Sequence, residues 1–399
     1  MPRPKLTAVP DSAFTDAGLF LQSIRSQDLV YFCLNEGDGD SQLILLPQAD
    51  LGPRRGLVVD VCSTKKLLAL VEALSGRDVA QPLGAPFLSD PPQFPLVVAT
   101  HPHDDHINGM GDFLAAYGPG ILNFWEPGYR HTSQGYRRMM SELSRLTNIQ
   151  VLQPTAGATT WLGQVKVTAL SPGIALRNHF DTYGVDLNDS SISLRLEFPA
   201  SAVVRRPASP PDPAAGEPES AEEFDYLPPP ARAALVLGAD ALALSWAQVL
   251  VDFPRLEPES TAIAQALRKA TGADFLAAPV FKVSHHASNR GSYLELIQKI
   301  SPRFCLVTAD PVSSQHGFPH MVAVEGIREA LEATAKTNKS RDDDHKIGLH
   351  VTGAPAPNGS PLGSIAMVMQ PGARGTIRLW RFGDAIDEAV VLGKGRRLL

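Results

Sequence analysis

Six consecutive residues, His101-Pro102-His103-Asp104-Asp105-His106, carry three imidazoles and two carboxylates. They follow PPQFPLVVAT (91–100), a short β-branched apolar run that reads as a buried strand. In an extended chain alternate residues share a face, so His101 and His103 converge on one cation. Asp105 and His106 fall where the chain turns into the next helix and address a second. Neutral imidazole nitrogen with carboxylate oxygen suits Zn²⁺ and, less tightly, Mn²⁺ or Fe²⁺. A surface loop that happens to be rich in His and Asp is the competing reading. It requires both the strand context and the spacing to be accidental.

A second candidate is the pair His285-His286, which ends the apolar run FLAAPVFKVSHHAS (275–288). The elements that must position these groups are strands and helices in alternation. LVYFCL (29–34) and SQLILLP (41–47) flank a Gly/Asp turn and read as a hairpin. GLVVDV (56–61) is a third strand, followed by a helix over 63–74 and, after the histidine cluster, a helix over 107–118. Further strands are expected in ILNFWEP, IQVLQP, QVKVTAL, SSISLRLEF, AALVLGAD, RFCLVTAD, GLHVTG, SIAMVMQ and TIRLWRF. Helices are expected in 136–146, SWAQVLVDF, 258–270, YLELIQKI and 321–336. The class is α/β, with mixed sheets covered by helices.

The chain of 399 residues is 44 % hydrophobic and 20 % charged, which excludes a wholly disordered or collagen-like protein. A net charge of −6 names no partner and does not describe a strongly basic nucleic-acid binder. Three separated cysteines without a CxxC exclude a disulfide framework and a thiolate zinc site. The first residues lack an apolar signal segment, and no run reaches the roughly 18–20 apolar residues of a spanning helix. The expectation is a soluble cytoplasmic protein. Residues 199–232 hold nine prolines and little periodicity, so they are expected to form a flexible insertion at a hairpin tip. The domain reading is an N-terminal extension at 1–27, a catalytic domain at 28–335 and a strand-rich extension at 336–399 that completes the fold.

The HxHxDH pattern resembles the metallo-β-lactamase superfamily, whose fold is an αββα sandwich with metal ions at one rim of the two sheets. That resemblance implies roles for residues elsewhere. An early strand-end aspartate matches Asp60, with Cys62 where a glycine is usual nearby. A metal-bridging aspartate matches Asp240 in LVLGAD. A late ligand histidine matches His286, because the family's ligand is followed by a small residue, here Ala287. His285 is then free to meet substrate or donate a proton.

The match narrows toward the hydrolase domain of the ComEC-type competence (DNA-uptake) proteins. Gly37, Asp38, Gly39 and Asp40 resemble its hairpin turn, Asn188, Asp189 and Ser191 its Asn-rich segment, and KVSHHAS and HGFPH its later motifs. The superfamily's middle histidine has only His179 as a counterpart, and a loop role for it is the simpler reading. One ion would then rest on His101, His103 and Asp240. Lys282 either faces the site or caps a strand edge, the second being the simpler reading. His316 and His320 lie on a rim loop, either touching substrate or shaping the loop.

The resemblance implies a metal-dependent hydrolase with two divalent ions, Zn²⁺ or Mn²⁺, that activate a hydroxide against a phosphodiester, nucleic acid foremost. Asp105 and Asp240 would hold the ions and His285 would serve as the acid. Arg137, Arg138 and Arg145 can form a phosphate-contacting strip, although a solvated helix face is the plainer reading. The alternatives are an ester or lactone hydrolase, and a catalytically impaired binding or regulatory module on the same fold.

Overall fold

The computed structural model describes residues 15–48, 53–76, 87–179, 186–198, 203–205, 224–226, 233–255, 274–335, 347–355, 359, 362–370 and 377–397. Strand periodicity organises the fold. In Leu29–Cys33, the side chains of Val30 and Phe32 join one core and those of Leu29, Tyr31 and Cys33 another. This two-residue alternation, with both faces buried, marks a strand covered on both sides.

The first sheet runs, edge to edge, Thr15–Asp16, Lys394–Arg397, Ile377–Arg381, Ile365–Met369, Leu29–Cys33, Ser41–Leu45, Gly56–Val61, Leu96–Val98, Asn123–Trp125 and Gln150–Leu152. Pairing is antiparallel as far as Gly56–Val61 and parallel beyond it. The second sheet runs Leu349–Val351, Phe304–Val307, Val280–Lys282, Ala233–Leu237, Leu194–Phe198, Val165–Ala169 and Thr159–Leu162. Its first four strands are parallel and the rest antiparallel.

Three cores define the layers. The middle one joins Tyr31, Ile44, Val59 and Val98 of the first sheet to Leu196, Leu235, Val280 and Leu306 of the second. The outer face of the first sheet packs on helices Thr64–Leu74, Met110–Tyr117 and Gln134–Leu143, and that of the second on Ala243–Asp252, Leu294–Ile300 and Met321–Ala335. Helix, sheet, sheet, helix is the αββα sandwich expected from the sequence.

Some elements differ from expectation. The helix expected over 107–118 is split into Asp104–Ile107 and Met110–Tyr117, so a helical turn begins inside the histidine cluster itself. Gly109 lies at the break and packs closely on the next segment, since a Cβ there would lie 2.7 Å from the Thr64 nitrogen. The strand Thr159–Leu162, which the sequence reading passes over, forms a hairpin with Val165–Ala169 through Gly163 at φ 65°. Strand Ile365–Met369 lies inside the first sheet, between Leu29–Cys33 and Ile377–Arg381.

Leu194–Phe198 and Ala233–Leu237 pair as the expected hairpin. Most of the 199–232 insertion lies outside the described residues, apart from the antiparallel ribbon Val203–Arg205 with Phe224–Tyr226. The helix expected over 258–270 also lies outside them. Among the described residues no helix is long and apolar enough to cross a membrane.

Candidate metal centre

The parallel strands of both sheets aim their carboxyl ends at one rim, the usual place for a site in α/β sheets. Asp60 comes from the end of Gly56–Val61, His101 follows Leu96–Val98, and Asp240 follows Ala233–Leu237. His285 and His286 follow Val280–Lys282, and Thr308 follows Phe304–Val307. The chain leaves these strands under strain. Asp60, Ala239, His285, His286 and Ala287 all have left-handed φ values, of 58°, 45°, 47°, 52° and 59°. Such conformations cost non-glycine residues on the order of 1 kcal/mol or more each and cluster where function fixes the backbone.

His101 and His106 are fully buried and His103 half-buried. His103 is the N-cap of the Asp104–Ile107 turn, still extended at ψ 147°, so the alternation that aligns it with His101 persists to that residue. Asp60 fixes the start of the cluster. Its Oδ1 accepts from the Thr100 backbone N–H at 2.7 Å, and its Oδ2 accepts from the Thr100 hydroxyl at 2.7 Å. The same Oδ2 lies 2.8 Å from Nδ1 of His106, which turns the other ring nitrogen inward.

Asp240 stands at the centre and is buried. Its Oδ1 is 3.2 Å from Nε2 of His106 and 3.6 Å from Nε2 of His286. Its Oδ2 is 3.6 Å from Nε2 of His101 and 3.7 Å from Nε2 of His285. Each carboxylate oxygen thus faces a different pair of histidines. His286 is buried, with Nδ1 against the Thr308 carbonyl at 2.8 Å and hydroxyl at 3.0 Å. His285 is partly exposed, with Nδ1 at 3.0 Å from the Ser288 hydroxyl and Nε2 at 3.4 Å from Nδ2 of Asn188.

Lys282 does not cap a strand edge. It is buried, and its ammonium donates to Oδ2 of Asp40, whose Oδ1 accepts from the Thr308 hydroxyl. Asp40 therefore supports His286 through Thr308. Its backbone N–H donates to the Asp105 carbonyl at 2.9 Å, which joins the hairpin turn to the histidine cluster. Gly39 permits this approach, since a Cβ there would lie 2.9 Å from that carbonyl oxygen and collide with Cys62. Cys62 donates its backbone N–H to the Asp40 carbonyl and the Ser41 hydroxyl, each at 3.0 Å.

The electrostatics follow from burial and these neighbours. Burial drives the His101 ring well below the usual histidine range, in the neutral form that a cation needs. Burial alone would also lower His106, but Asp240 and Asp60 raise it well above that range. Burial alone would raise the Asp240 carboxyl, yet His106, His286 and His101 hold it well below the carboxylate range. Burial raises Asp40 while Lys282 overrides it and keeps the carboxyl low.

The residues fit bound cations. Nε2 of His101, of His106 and of His286, and Oδ1 of Asp240, are buried without a hydrogen-bond partner among the described residues. Native interiors seldom tolerate such atoms unless an ion or water satisfies them. Two donor sets gather within 4.8 Å: Asp105, His106, Asp240 and His286, and His101, His103 and Asp105. Asp105 belongs to both sets, and Asp240, which the sequence reading set beside His101 and His103, keeps Oδ2 at 3.6 Å from Nε2 of His101. A third grouping, Asp40, Asp60 and His106, is already occupied by Lys282, Thr308 and Thr100, so it supports the site from behind.

The centre opens into a cavity of about 550 Å³, whose wall includes Asn188, His285, His316 and Phe318. Burial there pushes Glu36, on the same wall, up to about 7. His316 is exposed at the rim. His320 is tied into the loop instead, accepting from the Asn289 backbone N–H at 3.0 Å. His179 closes the helix Ile174–His179, and its side chain lies outside the described residues. The sequence reading missed His131, whose ring packs edge-on against His103 with centroids 5.5 Å apart. It also gave Asp40 no part in the site.

No protein-family model matches this chain, and no curated protein matches it. Solved structures resemble it at low identity. The metallo-β-lactamase fold protein YhfI from Bacillus subtilis is 10 % identical with a TM-score of 0.35, covering 82 % of this chain and 97 % of its own. CmlA, a diiron β-hydroxylase from Streptomyces venezuelae, is 13 % identical with a TM-score of 0.34. That match covers 82 % of this chain but spans only 52 % of CmlA. A diphosphatase from the PhnP family is 11 % identical with a TM-score of 0.31, covering 78 % of this chain and 81 % of its own. At these values no reaction of theirs transfers to this chain.

Proposed function

We propose that the chain is a metal-dependent hydrolase that cleaves a phosphodiester. The observation that carries this reading is the set of buried, unpartnered histidine and aspartate atoms gathered around Asp240, which itself lines the open cavity. His101, His103, Asp105 and Asp240 would hold one ion, and Asp105, His106, Asp240 and His286 a second. Zn²⁺ suits the histidine-rich donors and Mn²⁺ the carboxylates. When bound, two such ions supply an activated water near neutral pH and neutralise charge building on the phosphorus oxygens.

The remaining residues orient and move protons. Asp60 fixes the tautomer of His106, and Thr308 that of His286, a support that commonly tunes ligand strength. His285 lines the cavity, its Nδ1 at 3.0 Å from the Ser288 hydroxyl and its Nε2 at 3.4 Å from the Asn188 amide nitrogen, and it would protonate the leaving oxygen once Nε2 has itself taken up a proton. Nucleic acid enters as one phosphodiester, on the resemblance of the GDGD turn and KVSHHAS to the ComEC-type hydrolase domain. The test is hydrolysis of chromogenic phosphodiesters by protein loaded with Zn²⁺ or Mn²⁺, with metal content measured on the same samples. Turnover that tracks about two ions per chain supports the reading. Metal-loaded protein that cleaves no diester refutes it.

A further inference from the structure

The charge of the cavity wall is one-sided. Glu36, Asp38 and Asp104 line it in addition to Asp105 and Asp240 of the donor sets, and none of the described lining residues is Lys or Arg. Two divalent cations would bring four positive charges, of which Asp105 and Asp240 match two; Glu36, Asp38 and Asp104 outweigh the remainder, so the loaded wall keeps no excess positive charge for a polyanionic arm. Asp38 is held in place: its Oδ1 accepts from the Asp310 backbone N–H at 3.2 Å and its Oδ2 from the Ser314 hydroxyl. Glu36 has a buried oxygen, Oε1, with no hydrogen-bond partner among the described residues. A donor group on a ligand would satisfy it.

The basic helix offers no counterweight. Arg138 pairs with Asp112, Arg145 pairs with Glu142 at 2.8 Å, and Arg137 donates to the Thr132 carbonyl. All three arginines that the sequence suggested as a phosphate-contacting strip are engaged on their own surface. Polynucleotide binding draws its affinity from cations set against successive phosphates. Neither the cavity wall nor this helix provides them.

We infer that the cavity selects a small phosphodiester whose second ester arm carries a positive charge, and discriminates against polyanionic arms such as a nucleic-acid strand. This inference rests on the phosphodiesterase reading above. Each carboxylate within several ångströms of the arm shifts affinity by several-fold to about tenfold at low ionic strength, and salt weakens the effect.

The experiment uses the metal-loaded full chain at pH 8 and low salt, with three diesters sharing a p-nitrophenolate leaving group. Their second arms are ethanolamine (a cationic ammonium with N–H donors), p-nitrophenyl (neutral) and a nucleoside bearing a further phosphate (anionic). The expected order of kcat/KM is cationic, neutral, anionic, with at least tenfold between the extremes. Glu36→Gln and Asp38→Asn should each narrow that ratio about threefold or more, and added salt should narrow it too. Equal or faster cleavage of the anionic substrate, or single-stranded DNA as the best substrate, overturns the inference. If no diester is cleaved, the phosphodiesterase reading falls. The order of the three Kd values by titration calorimetry still decides the charge preference.

Discussion

Asp60 grips His106 from behind: Oδ2 of the carboxylate lies 2.8 Å from Nδ1 of the ring, and both side chains are buried. The aspartate reaches this position through a left-handed backbone at φ 58°, and two hydrogen bonds to Thr100 hold it there. His106 is therefore committed to presenting Nε2 to Asp240. Asp60→Asn can preserve shape but not the charge that orients the ring. Its metal affinity should fall about 10–100-fold with the fold intact. Metal titration followed by circular dichroism checks both, and an unchanged affinity would show that Asp60 does not act through His106.

Asp240 separates the ligands by consequence. Asp240→Ala should abolish both metal retention and turnover, because its two oxygens face different histidine pairs. His286→Ala should lose one ion. His285→Ala should keep both ions and lower turnover roughly 10²–10⁴-fold, the usual loss for a positioned acid. Elemental analysis of the three variants decides the assignment. Metal loss from His285→Ala with retention in His286→Ala would reverse it.

Metal affinity should rise with pH. In the metal-free chain Asp240 and Asp60 lift His106 well above its ordinary range against the effect of burial, so a cation must displace a proton there. A folded-state value above the unfolded one means that His106 stabilises the metal-free fold fully below about pH 6.5, the ordinary histidine value. That stabilisation disappears as pH climbs through the higher folded-state value. Metal binding moves the opposite way, with Kd improving toward about tenfold per pH unit while one proton is released. Calorimetry in two buffers of different ionisation enthalpy counts that proton, and a pH-independent Kd would contradict the charged state assigned to His106.

Lys282 and Asp40 form a buried ion pair under the site. Lys282→Met leaves Asp40 buried without its cation, at an expected cost of about 3–5 kcal/mol. Adding Asp40→Asn should recover part of the loss. Urea unfolding of the single and double variants measures the coupling, and additive losses would deny it.

His103 has no ring hydrogen bond among the described residues. It is packed between His101 at 4.9 Å and His131 at 5.5 Å between ring centroids. His131→Ala should weaken metal binding about tenfold, and His131→Phe should restore most of it because the ring edge is retained. Titration of both variants tests this, and equal loss from both would assign His131 a role other than packing.

The fold and the centre of the site were legible wherever chemistry and local pattern coincide. His101, His103 and His106 announce themselves because ligand types are concentrated directly after an apolar run. The alternation of strand and helix periodicity gives the α/β class, while the αββα layer order is implied by the resemblance to the metallo-β-lactamase superfamily. Asp40 escaped because its site partners, Lys282 and Thr308, are distant in sequence, and an aspartate in a Gly-rich turn reads as turn chemistry. His131 escaped because an isolated histidine in a loop carries no periodicity. The helical start at Asp104 was hidden by Pro102, which marks extended chain before it and says nothing of where helix begins.

The strand Ile365–Met369 bears on how the chain is made. It pairs with Leu29–Cys33 on one side and Ile377–Arg381 on the other, so Leu29–Cys33 receives one of its two neighbours from a segment far downstream in the chain. During synthesis the Leu29–Cys33 edge stays unpaired on that side until Ile365–Met369 has been added. Exposed apolar edges of this kind recruit other strands. A chain shortened before residue 365 would carry the histidine cluster on a sheet with an open edge.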